Sequence, residues 1–141
     1  MSKRRVVITG LGMLSPLGNN VADSWQSILA GKSGVRKFDQ FSTEGINSKI
    51  IASVKDFDPT EYITKKDLKK IDPFIQFAVA ASDEAIEDAN LDFAKEDCTR
   101  IGVAIGSGIG GINTIEKNAR ILIEKGPAKL SPFFIPGSII N

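Results

Sequence analysis

The sequence predicts an α/β protein, and three observations lead there. Residues 5–10, Arg5-Val6-Val7-Ile8-Thr9-Gly10, form a β-branched run that ends on a glycine. Residues 74–89 form a long Ala-rich apolar stretch of helical character. Residues 100–124 read as a strand, a Gly-rich turn and an amphipathic helix in succession. The chain has 141 residues, which suits one domain or a piece of a larger one. Hydrophobic residues at 42% and charged residues at 25% exclude wholesale disorder.

The elements follow in order. Residues 5–10 predict a buried strand, and residues 11–20, with two glycines and a proline, predict a loop. Residues 21–30 carry Val21, Trp25, Ile28 and Leu29 at near-helical spacing, with Gly31 as the stop. Residues 38–59 are irregular apart from a short strand near residues 50–54. Residues 64–70 predict a basic helical segment, after which Asp72-Pro73 reads as a helix N-cap with proline in the first position. The helix over residues 74–89 is apolar on much of its surface, predicts burial and stops at Asn90. After the strand at 100–105, the helix over 112–124 directs Ile112, Ile115, Ala119, Ile121 and Leu122 mostly to one face. Residues 130–141 hold Phe133, Phe134, Ile135, Ile139 and Ile140 with no polar tail, which predicts a chain cut within a larger fold.

Composition removes much chemistry. There is no His, so no Ser-His-Asp or Cys-His relay exists within these residues. The one Cys, Cys98, can form neither an internal disulfide nor a thiolate metal site. Its acidic neighbours Glu96 and Asp97 disfavour a thiolate, so it reads as a bystander. A net charge of +1 gives no overall basic field to attract nucleic acid. No apolar run approaches the ~20 residues of a membrane-spanning helix. The basic start, Met1-Ser2-Lys3-Arg4-Arg5, precedes an apolar run too short for a signal peptide. The expected location is the cytoplasm.

Three motifs carry possible chemistry. Gly106-Ser107-Gly108-Ile109-Gly110-Gly111 has the G-x-G-x-x-G spacing of a dinucleotide-binding turn, which admits an oxidoreductase reading. Against it, residues 125–141 supply no acid for a ribose, and a tight turn with close-packed glycines accounts for the same residues. Gly31-Lys32-Ser33 mimics the end of a phosphate loop, but Gln26 stands where its first glycine belongs, so a helix C-cap explains it better. Lys65-Lys66-Asp67-Leu68-Lys69-Lys70 is either a solvated face or a docking patch for an acidic partner.

Several segments together resemble the elongating β-ketoacyl-[acyl carrier protein] synthases, the condensing enzymes of type II fatty acid synthesis. They are Arg4-Arg5-Val6-Val7-Ile8-Thr9-Gly10-Leu11-Gly12 with Ser15-Pro16-Leu17-Gly18, and Trp25 with Leu29-Ala30-Gly31-Lys32-Ser33-Gly34. Asp72 with Phe74-Ile75-Gln76-Phe77-Ala78, Arg100-Ile101-Gly102 before the Gly-rich turn, and Ser131-Pro132-Phe133-Phe134-Ile135-Pro136 complete the set. The resemblance runs in order along all 141 residues and is greatest to the synthase II branch. It implies an incomplete thiolase-like layered α-β-α fold, with residues 1–141 as an N-terminal fragment from the first part of the N-terminal half.

The resemblance implies an acyltransferase that condenses acyl and malonyl groups on carrier protein with decarboxylation. The family's nucleophilic Cys, His pair and Lys lie beyond the segments matched here, so the chain alone is expected to be inactive, with no catalytic residue, cofactor or metal. Gly108 and Ile109 would line the acyl pocket, Ile109 as the side chain that moves for a long chain. Phe134 and Ile135 would close the partner's pocket across a homodimer interface. Lys66, Lys69, Lys70 and Lys129 would dock the acidic acyl carrier protein, although Ala128 replaces a basic residue common in close relatives. A non-catalytic carrier-protein-binding module is the other reading. No nucleic acid or membrane partner is expected. Exposed apolar surface at residues 133–140 predicts self-association.

Overall fold

In a computed structural model, which describes residues 4–139, helix α1 (Val21–Leu29) starts at Asn20, whose side chain accepts the Asp23 amide at 2.7 Å. It ends as expected at a glycine. Gly31 adopts φ +63°, its amide donates to Ile28 O at 2.9 Å, and the Lys32 amide donates to Ser27 O at 3.0 Å. That pair of bonds closes the last carbonyls of the helix in a Schellman turn. Gly31-Lys32-Ser33 is therefore a helix stop. Met1, Ser2, Lys3, Ile140 and Asn141 lie outside the described residues.

The chain divides into two compact units, Met1–Phe57 with Ala81–Leu91 and Asp58–Ala80 with Asp92–Asn141. Helix α3 (Pro73–Asp88) contributes to both. In the first unit, α1 accompanies a hairpin of β1 (Arg36–Lys37) and β2 (Ile50–Ile51), antiparallel with Arg36 opposite Ile51. The short strand expected near residues 50–54 is thus present over two residues. Phe38 and Phe41 meet edge to face beside it, with ring centroids 4.4 Å apart. The segment at Gly10 and Gly12 lies flat on the Ala-rich face of α3, where a Cβ on Gly12 would collide with the Ala81 carbonyl. Carboxylates of α3 fix this segment, since Asp88 accepts the Leu11 amide at 2.9 Å and Glu84 the Met13 amide at 2.8 Å.

The second unit holds a 3-10 turn at Pro59–Glu61, α2 (Lys65–Leu68), a 3-10 turn at Cys98–Arg100, α4 (Ile112–Lys125), a 3-10 turn at Pro127–Lys129, and α5 (Phe134–Ser138). Thr64 caps α2 by accepting the Asp67 amide at 3.2 Å. Asn90, at φ 51°, follows the end of α3, and Gly126, at φ 79°, follows α4.

Two expectations are corrected, and the helix faces show what the spacing left open. Residues 5–10 and 100–105 form no strand, and Val6 and Val103 are 87% and 83% exposed. A strand is held by the ladder of a neighbour, and among the described residues these segments have none. The helix over 74–89 is present but mostly half-buried, with Ala80 its one buried hydrophobic residue. The inward faces of α1 and α4 are not the apolar ones. Ser24 and Ser27 are buried on α1 while Trp25, Ile28 and Leu29 are exposed, and α4 buries Asn118 while Ile112, Ile115 and Leu122 are exposed.

Those buried polar groups are satisfied. Ser24 Oγ lies 2.8 Å from Ser15 Oγ, and Ser27 Oγ donates to Leu17 O at 3.1 Å, fixing the loop before α1. In the second unit, Asn118 Nδ2 donates to Thr114 O at 2.8 Å and Asn118 Oδ1 accepts the Ser131 amide at 3.4 Å.

Candidate functional site

Asp72 stands at the N-cap of α3 as its sequence position predicts, because its carbonyl accepts the Ile75 amide at 3.0 Å. Its carboxylate serves a different helix. Asp72 is 4% exposed, and its Oδ2 accepts the Thr114 amide in the first turn of α4 at 2.9 Å. The N-cap of α4 is Gly111, which has no side chain to offer, so Asp72 supplies the missing acceptor. The Gly111 amide donates to Ser138 O at 2.8 Å, and the Asp72 amide donates to Gly137 O at 3.2 Å. A Cβ on Gly111 would stand 2.7 Å from Ser138 Cα and 3.2 Å from Asp72 Cβ. The start of α3, the Gly-rich turn and the end of α5 meet at this point.

The expected acyl-pocket residues lie on the two segments joined there. Gly108 and Ile109 are on the turn, and Ile109 is 74% exposed. Phe134, half-buried, opens α5, and the exposed Ile135 follows it. Gly106 and Gly108 would meet nothing with an added Cβ, so close packing belongs to Gly110 and Gly111 instead. The dinucleotide reading loses its context here. No strand precedes the turn, and a carboxylate and a carbonyl already hold two amides that a pyrophosphate would use.

The lysines separate by environment. Lys66 and Lys69 are exposed, as is Lys129 in its 3-10 turn. Lys70 is half-buried, pairs with Asp67 at 2.6 Å and stands 5.4 Å from the Phe133 ring centroid. The hydrogen bond from Lys70, then that from Thr64, holds the Asp67 carboxyl below the usual carboxylate range. A cleft of about 230 Å³ is lined by Lys69, Lys70, Lys117, Asn118, Phe133 and Phe134, among others. Sequence reasoning missed Lys117, which lies three residues beyond Thr114 and so one helical turn along the same side of α4.

Cys98 is exposed, and its Sγ lies 3.6 Å from Phe93 O and 3.9 Å from Glu96 O. It faces carbonyl oxygens rather than a base, in keeping with a bystander. Among the described residues no cluster of three or more His, Cys, Asp or Glu could hold a metal ion, and no helix is long and apolar enough to cross a membrane.

Comparison with known proteins decides the family. Residues 3–141 match the family described as "Beta-ketoacyl synthase, N-terminal domain". The chain belongs to that family. Two 3-oxoacyl-[acyl-carrier-protein] synthases 2 are similar over all 141 residues, that of Vibrio harveyi at 51% identity and that of Coxiella burnetii at 53%. The chain spans about a third of their length, 34% in each case. Among solved structures, a type II polyketide synthase acyl-carrier protein in complex with its ketosynthase bound to the hexaketide matches 94% of this chain and 36% of that one, with TM-score 0.77 and 28% identity. A β-ketoacyl synthase from Burkholderia phymatum matches 97% of this chain and 34% of that one, with TM-score 0.76 and 25% identity. The fold is therefore a partial α/β piece of the thiolase-like ketosynthase architecture, as the resemblance implied.

Proposed function

We propose that residues 1–141 are the N-terminal part of a 3-oxoacyl-[acyl-carrier-protein] synthase that elongates acyl chains in the cytoplasm as a homodimer. The observation carrying this reading is identity of 51–53% across the whole chain to relatives of that name. In the proposed reaction an acyl group passes from carrier protein to a Cys thiolate. Malonyl-carrier protein then loses CO2, and the resulting carbanion attacks the acyl thioester, releasing the thiolate and 3-oxoacyl-carrier protein. The His pair and backbone amides stabilise the developing oxyanion. Those reacting groups belong to the two thirds of the relatives that this chain does not span.

The contribution of these residues is binding. Gly108 and Ile109 form pocket wall, while Phe134 and Ile135 close the pocket of the other subunit. Lys66, Lys69, Lys70 and Lys129 receive the acidic acyl carrier protein. The ketosynthase neighbour in complex with an acyl-carrier protein supports that partner. With no His and only the exposed Cys98, the chain by itself turns nothing over.

The test joins residues 1–141 to the part of the Coxiella burnetii enzyme that follows its matching third. The folded chimaera is expected to form 3-oxoacyl-carrier protein from acyl- and malonyl-carrier protein, and the chain alone to form none. A folded but inactive chimaera overturns the synthase reading. Turnover by the chain alone that disappears in Cys98→Ala overturns its proposed inactivity.

A further inference from the structure

We infer that Asp72 is the positioning residue of the Gly-rich turn and, through it, of the acyl-chain preference; the second part rests on the reading of that turn as pocket wall. Two hydrogen bonds of Asp72 are linked to a third, between Gly111 and Ser138. Its buried carboxylate holds the first turn of α4 through the Thr114 amide at 2.9 Å. Its amide holds Gly137 O at 3.2 Å, and the next residue, Ser138, accepts the Gly111 amide at 2.8 Å. Gly111 is packed against both, 2.7 Å from Ser138 Cα and 3.2 Å from Asp72 Cβ for an added Cβ.

The geometry therefore closes a ring: Asp72 to Thr114, back through residues 113–111 to Ser138, and through Gly137 to Asp72 again. Ile109 lies two residues before Gly111, and Phe134 and Ile135 lie within four residues of Ser138. Both expected pocket segments are thus anchored at one residue, the turn side through its carboxylate and the α5 side through its backbone amide. The first half of the turn is open, because a Cβ on Gly106 or Gly108 would meet nothing within 4 Å. The Gly110 amide donates to the nearby Ser107 hydroxyl at 3.1 Å. Losing the Asp72 carboxylate frees the turn, while a neutral side chain of the same shape still accepts the Thr114 amide.

Hydrogen exchange of the 141-residue chain tests the anchor. In Asp72→Ala the Thr114 and Gly111 amides are expected to exchange at least about tenfold faster, with Asp72→Asn restoring most of the protection. Thr114→Pro removes the same donor in a helical first turn and is expected to free Gly111 as Asp72→Ala does. Unchanged exchange in both Asp72→Ala and Thr114→Pro overturns the inference.

In the chimaera, Asp72→Ala is expected to change the ratio of kcat/KM for long and short acyl chains by about threefold or more, with Asp72→Asn near the parent value. Ile109→Ala serves as the control for the pocket reading. A shifted ratio in Ile109→Ala with none in Asp72→Ala overturns the proposed role of Asp72 in acyl preference. No shift in Ile109→Ala overturns the pocket reading, while faster exchange in Asp72→Ala would still establish the anchor.

Discussion

Glu84, in the C-terminal half of α3, accepts the amide of Val21, the first residue of α1, at 2.8 Å through Oε1. Its other oxygen accepts the Met13 amide, so one carboxylate closes both ends of the loop that leads into α1. The charge also complements the positive end of the α1 dipole. Replacing Glu84 with alanine leaves two amides without a protein acceptor. Urea unfolding is expected to show a loss of about 1–3 kcal/mol, with Glu84→Gln recovering a large part of it.

The glycines divide in the same physical way. Gly12→Ala drives a methyl into the Ala81 carbonyl and is expected to cost about 1–3 kcal/mol. Gly106→Ala and Gly108→Ala place a methyl in open space at ordinary backbone angles, and their unfolding midpoints should stay near the parent value. A Gly108→Ala chain as damaged as Gly12→Ala would contradict this difference in packing.

Asp67 predicts a pH dependence. Its carboxyl is held below the usual range in the folded chain, first by the Lys70 hydrogen bond and then by that of Thr64. A depressed folded value means that the stabilisation is present above the unfolded pKa and is lost as pH falls through the folded one. The α2 turn is therefore expected to loosen only on the acid side of the ordinary carboxylate range. Carboxyl NMR of Asp67 checks this, and Lys70→Met should bring its titration back toward the ordinary range.

The lysine environments rank the variants for carrier-protein binding. Lys66→Ala and Lys69→Ala each remove an exposed charge and are expected to weaken binding by a few-fold, less so at high salt. Lys70→Ala is expected to weaken it less, because that ammonium is already paired with Asp67. Calorimetry with acyl carrier protein at two salt concentrations measures the order.

The exposed apolar residues predict association. Trp25, the one tryptophan, is 55% exposed beside the exposed Ile28 and Leu29, and Phe133, Ile135 and Ile139 are exposed at the other end of the chain. Light scattering is expected to give a mass that rises with concentration, with Trp25 emission moving to shorter wavelength as its ring is covered. A mass near 15.2 kDa at all concentrations, with unchanged emission, would contradict the expectation.

What the sequence made legible was local. The stop of α1 at Gly31 and the cap of α3 at Asp72 follow from residues whose effects reach only a few positions. The strands at 5–10 and 100–105 were misread because β-branched composition reports a tendency, whereas a strand exists only with a partner. The apolar stripes of α1 and α4 were found, but their direction was not, since Ser24, Ser27 and Asn118 reveal their bonding partners only in three dimensions. Asp72 was legible as a cap, yet nothing in its sequence position indicates that its carboxylate serves α4. Glu84 gave no signal, because its partners are 71 and 63 residues away.

The inward-facing serines and asparagine have a thermal consequence. Among the described residues Ala80 is the one buried hydrophobic residue, while Ser24, Ser27, Asp72, Asn118 and Ser138 occupy interior positions. Unfolding such a unit exposes polar surface in place of much of the usual apolar surface, and polar hydration lowers the heat-capacity increment. The increment per residue is therefore expected to fall below the ~12–15 cal/mol/K of ordinary globular domains, with a shallow curve of stability against temperature in calorimetry.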